Sequence, residues 1–171
     1  MKGWLLDTNI ISELRKGTRA DSRVKAWRQS VRTVPLHLSV ITLMEIRRGI
    51  VLLERRDPQS AAHLAQWFRN LKREYRGRIL PVTLRVAEIC SGLSPDQPLP
   101  AMDALLAATA RARDLKIATR NVADFIRSGV PMEIHSSLAG RECGTGFPAR
   151  DPTQSRAGKP VSLYGFVIST R

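Results

Sequence analysis

Histidine and cysteine are scarce in this chain, and negative charge is scarcer than positive. The three histidines, His37, His63 and His135, sit in separate segments, and the two cysteines, Cys90 and Cys143, are far apart in a sequence of 171 residues. Neither a zinc spacing nor a disulfide framework can be drawn from them, and two isolated thiols fit a reducing compartment. The scatter of the histidines suits a strand, a helix surface and a loop better than a shared acid–base or metal role. Long apolar runs are missing as well. Met1-Lys2-Gly3-Trp4-Leu5-Leu6 reaches Asp7 too soon for a signal peptide, and no stretch approaches the ~18 apolar residues of a membrane span. A cytoplasmic location without membrane contact is expected. No internal repeat is evident.

Asp and Glu number 15 against 28 Lys and Arg, leaving +13, and 22 of the cations are Arg. The guanidinium presents a planar fork of donors that fits phosphate, so this surplus suits nucleic acid or an acidic protein partner. A basic surface without a ligand is the plainer alternative. The length accommodates one domain with a proper core rather than two.

Apolar periodicity outlines an α/β chain. Trp4–Leu6 reads as a short buried strand, with Thr8 as N-cap of a helix through Ile10, Ile11 and Leu14 that ends near Gly17. A helix from about Ser22 to Val31 leads to a strand at Leu36–Leu38, then a long helix holds Ile41, Met44, Ile46, Ile50 and Leu53. Asp57-Pro58 breaks it, and a helix from about Gln59 to Arg76 stacks Leu64, Trp67, Phe68 and Leu71 on one stripe. Further strands are expected at Ile79–Val82, Lys116–Thr119 and Met132–Ile134, separated by helices around Val86–Leu93, over Ala101–Ala112 behind Pro100, and from an Asn121 cap to Gly129. This order predicts a largely parallel sheet of about five short strands covered on both faces. From about Ser136 onward Gly and Pro interrupt every period, so residues 1–135 read as the folded domain and 136–171 as a flexible extension, in which Leu163–Ile168 could add an edge strand.

Among the few acids, Asp7, Glu45, Asp103 and Asp124 each stand where a strand pattern ends or a helix begins. Open parallel folds place ligands outside the carboxyl ends of their strands, where these carboxylates would meet. Two unit charges ~4 Å apart repel by about 4 kcal/mol at an effective dielectric near 20, which protonation or a cation relieves. Oxygen-only ligands select hard ions, favouring Mg²⁺ or Mn²⁺ over zinc. Such an ion lowers the pKa of a bound water and stabilises the leaving oxygen of a phosphoryl displacement. Each acid also has a local explanation. Thr42-Leu43-Met44-Glu45 matches a capping box, Asn121-Val122-Ala123-Asp124 a shorter relative of it, and Asp103 lies in a first helical turn favoured by the macrodipole.

Leu5-Leu6-Asp7-Thr8-Asn9-Ile10-Ile11-Ser12-Glu13 resembles the opening of PIN-domain proteins of the VapC toxin family, FitB-like branch. Leu38 to Ile50 around Glu45, Met102 to Ala110 around Asp103, and Ala118 to Phe125 around Asp124 resemble that family's later motifs in order. The resemblance covers about residues 1–135. It implies a PIN-like α/β/α sandwich and Mg²⁺- or Mn²⁺-dependent endoribonuclease activity, as the toxin of a type II toxin–antitoxin pair. By position it makes Asp7, Glu45, Asp103 and Asp124 the catalytic and metal-ligating set. It makes Thr8, Asn9, Thr119 and Asn121 hydrogen-bonding or substrate-positioning residues, with helix capping an alternative role for Thr8 and Asn121. It also implies a homodimer and a VapB-like antitoxin whose tail blocks the site. The pattern departs in places: Thr83 stands where relatives often carry an acid, the Cys90–Pro100 connection is short, and Glu133 to Ser137 replaces the usual ending.

Two other readings compete with a nuclease. A basic RNA-binding PIN-like module would use the Arg surface without efficient turnover. Arg120, with Arg111 and Arg113, stands near the third and fourth motifs as a candidate phosphate contact, solvated helix charge being an equal alternative for Arg111 and Arg113. A phospho-acceptor receiver domain would need adjacent acids after the first strand, and Asp7-Thr8-Asn9 offers one.

Overall fold

The computed structural model describes residues 2–94 and 98–134, all within the unit Met1–Ser136. The extension from 136, its anticipated edge strand, His135 and Cys143 lie outside the described residues. Five strands, β1 (Trp4–Leu6), β2 (Leu36–Ser39), β3 (Ile79–Leu80), β4 (Lys116–Thr119) and β5 (Met132–Ile134), form one sheet in the order β3-β2-β1-β4-β5. Every pairing is parallel. Among the described residues, seven α-helices accompany them: α1 (Thr8–Leu14), α2 (Ser22–Ser30), α3 (Val40–Glu54), α4 (Pro58–Glu74), α5 (Leu84–Ser91), α6 (Ala101–Ala112) and α7 (Val122–Phe125).

Consecutive strand residues point to opposite faces, so burial of both Leu5 and Leu6, and of both Ile117 and Ala118, requires cover on each side of the sheet. On one side Leu5 and Ile117 pack with Leu106, Ala107, Ala110 and Phe125 in a continuous core. The Ala-rich stripe of α6 allows that close approach, and α5 packs against it. α3 packs along α4, and Trp27 of α2 meets Trp4 edge-on with ring centroids 5.6 Å apart. No helix of the described residues is long and apolar enough to cross a membrane.

Helix starts differ from the sequence reading in two places that matter for the site. Thr8 is the first residue of α1 rather than its cap; Asp7 caps it, accepting from the Thr8 backbone N–H at 2.6 Å. α3 begins at Val40, two residues before Thr42, because β2 runs into it without a loop, and Ser39 is its cap, accepting from Ile41 N–H at 3.2 Å. Thr42-x-x-Glu45 is therefore not a capping box. Asn121 occupies the cap position of α7 but makes no side-chain capping bond. Asp57 caps α4, with Pro58 at the first helical position, and Thr83 caps α5. β5 forms despite the altered ending, Met132 pairing with Ile117 and Ile134 with Thr119.

Candidate active site

The sheet order reverses direction at β1 and β4: the chain adds β2 and β3 on one side and β4 and β5 on the other. A crevice opens at the carboxyl ends of two such neighbours. Asp7 follows the last residue of β1 there, its backbone N–H donating to Ala118 O of β4 at 3.0 Å. One carboxylate oxygen caps α1. The other accepts from Asn9 Nδ2 at 2.6 Å and from the Thr119 hydroxyl, at the end of β4, at 2.7 Å. Asn9 Nδ2 also reaches Thr119 Oγ1 at 3.1 Å, and the Asn121 backbone N–H donates to the same hydroxyl oxygen at 3.0 Å. Asp7, Asn9, Thr119 and Asn121 thus form one hydrogen-bonded group, drawn from a helix start and the turn after the neighbouring strand.

Two further acids approach from other helices. Glu45, on the second turn of α3, accepts the Thr8 hydroxyl through Oε2, which gives this glutamate a tertiary partner instead of a capping role. Thr42, one turn earlier, fastens α3 to the end of β1 by donating to Leu6 O at 3.1 Å. Asp103 lies in the first turn of α6. Asp7 feels both: burial raises its pKa to about 6, the Thr119 hydroxyl and Thr8 N–H pull it down, and the charges of Glu45 and Asp103 push it up again. Desolvation outweighs the hydrogen bonds. Asp124 belongs to α7 by its backbone, and its side chain is outside the described set. Among the described residues, no three acidic, histidine or cysteine side chains stand together as a ready-made metal cage.

A family model for the PIN domain matches residues 4–128. The chain belongs to the PIN-domain family. Toxin FitB of Neisseria gonorrhoeae is 33% identical over 131 residues, which span 74% of this chain and 93% of FitB. Ribonuclease VapC14 of Mycobacterium tuberculosis is 43% identical over 65 residues, 38% of this chain and 62% of that protein. The crystal structure of FitAcB from Neisseria gonorrhoeae superposes with a TM-score of 0.67 at 32% identity, covering 75% of this chain and 95% of that one.

This PIN domain carries a buried acid that its sequence motifs did not single out. Glu13, 4% exposed on α1, accepts from Asp21 N–H at 2.8 Å, Lys16 Nζ at 2.7 Å and Arg120 Nη1 at 3.1 Å. Burial alone would raise its pKa, but the bonds from Lys16 and Asp21 and the charges of Lys16 and Arg120 outweigh it and hold the carboxyl below its usual range. Arg120 directly follows Thr119, and its backbone N–H donates to Asn9 Oδ1 at 3.0 Å. The available signal was spacing: Glu13 is four residues after Asn9 and shares its helix face. Of the histidines, His37 lies in β2 and His63 on the exposed surface of α4, both apart from this acidic group.

Proposed function

We propose that the chain is a metal-dependent endoribonuclease that acts as the toxin of a type II toxin–antitoxin pair. The observation that carries this reading is Asp7, a desolvated carboxylate with pKa near 6 flanked by Glu45 and Asp103 at the carboxyl ends of β1 and β4 in a PIN domain. Partly buried carboxylates that repel one another suit a hard cation, and an all-oxygen donor set suits Mg²⁺ or Mn²⁺. Asp7, Glu45, Asp103 and Asp124 would hold the ion. When bound, it supplies a water of lowered pKa and positive charge at the leaving oxygen of the phosphodiester.

The chain's own groups supply order. Asn9, Thr119 and the Thr8 N–H fix both oxygens of Asp7, so that the carboxylate does not have to reorganise as it loses its proton. The Thr8 hydroxyl aims Glu45. Thr119 joins Asp7 to the Asn121 backbone and hence to the start of α7, where Asp124 follows. Residues 1–135 form the catalytic domain in this reading and 136–171 an extension to it. The names of similar proteins, FitB as a toxin and VapC14 as a ribonuclease, support a toxin role; a VapB-like antitoxin and a homodimeric assembly complete the proposal.

The test is cleavage of RNA by the purified protein with Mg²⁺, Mn²⁺ or EDTA, repeated with Asp7→Ala and Asp103→Ala. Cleavage with either metal, abolished by EDTA and lowered at least about 100-fold in both variants, is the expected result. Equal cleavage by all three proteins would remove the mechanism. Binding of RNA without turnover in any metal would favour the alternative, an RNA-binding module on a PIN fold.

A further inference from the structure

We propose that Glu13 is a positioning residue for RNA, holding the Arg120 guanidinium beside the acidic crevice as a phosphate clamp. The identity of the anion rests on the ribonuclease reading above; the clamp itself rests on the geometry of α1. That helix grips Arg120 twice. Asn9 accepts the Arg120 backbone N–H, and Glu13, one turn further along, accepts its Nη1. Main chain and side chain of one residue are thereby referenced to the helix that Asp7 caps.

The chemistry favours a role beyond packing. A carboxylate removed from water is strongly disfavoured unless it is fully paired. Glu13 has the Asp21 N–H and the Lys16 ammonium beside it already, and the Lys16 bond is the shorter of its two ion pairs. Arg120 takes one more lone pair through a single nitrogen at 3.1 Å, while its side chain remains 44% exposed. Among the described residues, the Arg120 side chain donates only to Glu13. The Asp21 carboxylate lies in the field of this guanidinium without a hydrogen bond to it, and the remaining donors of the planar fork match the paired oxygens of a phosphate in geometry. Arg120 is also one residue from Thr119, whose hydroxyl donates to Asp7. A phosphate held there would lie beside the carboxylates rather than on a distant face. An Arg without this anchor would have to be immobilised anew by each substrate.

Fluorescence anisotropy of a labelled single-stranded RNA in EDTA, with the full chain and the probe shown intact on a gel, tests the clamp. Arg120→Ala is expected to weaken binding several-fold and to lower the slope of log affinity against log salt by about 1. Glu13→Ala is expected to weaken binding as well, and the double variant to bind no worse than Arg120→Ala. Arg120→Lys keeps charge without the fork and is expected to behave like Arg120→Ala. Glu13→Gln, of the same shape with one acceptor oxygen left, serves if Glu13→Ala does not fold; it is expected to weaken binding and, because the ionised carboxylate contributes to stability, to lower the thermal midpoint at neutral pH by less than Glu13→Ala does. In cleavage with Mg²⁺ these changes should appear in KM and leave kcat nearly unaltered. Wild-type affinity in both Glu13 variants, additive losses in the double variant, or an unchanged salt slope in Arg120→Ala would overturn the clamp. Absence of cleavage by wild type, with the binding pattern intact, would instead remove the nuclease reading and leave the clamp standing.

Discussion

Asp7 is the residue at which stability and function oppose each other. Its pKa in the folded chain is about 6 against an ordinary 3.8, so the fold favours the protonated form. Between these values the native state holds a proton that the unfolded chain has lost. Stability therefore falls as pH rises through this window, and the full cost stands above about pH 6. A difference of this size corresponds to about 3 kcal/mol. Asp7→Asn removes the charge but keeps one acceptor oxygen, and its amide must face a donor among Thr8 N–H, Asn9 and Thr119, so the gain is smaller. The variant is expected to melt several degrees above wild type at pH 8 and to show no such gain at pH 4. Identical pH profiles for the two proteins would mean that Asp7 does not carry the cost. The opposite sign holds at Glu13, whose lowered pKa makes its ionised form a contributor to stability.

At the scale of elements, close backbone approach constrains β1 as much as hydrophobicity does. Gly3 has φ +153°, and a Cβ there would meet Pro35 O at 2.5 Å, just where Trp4 N–H donates to the same oxygen at 2.9 Å. Neither strand can yield without losing that bond. Gly3→Ala should therefore cost about 1–3 kcal/mol, read as a lower urea midpoint with unchanged slope; a midpoint within a few tenths of a kcal/mol of wild type would show that the contact relaxes. Most strands and helices were legible because their apolar patterns are short, regular and bounded by Gly, Pro or Asp, as at Asp57-Pro58 and Gly77. Caps were less legible. Ser39, Thr42 and Glu45 satisfy local spacing rules in more than one way, and the choice is made by long-range bonds: Thr42 to Leu6 O across 36 positions and Thr8 to Glu45 across 37. No local pattern contains those partners.

For the whole molecule, sheet order decides which acids can act together. The sequence identifies Asp7 and Asp103 as isolated carboxylates, but only the parallel pairing of β1 with β4 places Thr119 against Asp7, and only the long reach of α3 and α6 brings Glu45 and Asp103 into its field. Glu13 stayed unread because its partners, Arg120 above all, arrive from 107 positions away. A chain of net charge +13 repels cations at long range, so a divalent ion should be retained only where these carboxylates outweigh the surrounding Arg at short range. A ligand that binds the native state alone raises the melting midpoint with its concentration. Mg²⁺ at constant ionic strength is therefore expected to raise the wild-type midpoint at pH 7.5. At pH 5, below the Asp7 pKa of about 6, protons compete for the same oxygen and the shift should shrink. Asp7→Asn should melt higher without metal yet respond little to it, which separates the electrostatic relief from the binding. An equal Mg²⁺ response in wild type and Asp7→Asn would assign the ion to some other part of the surface and detach Asp7 from metal chemistry.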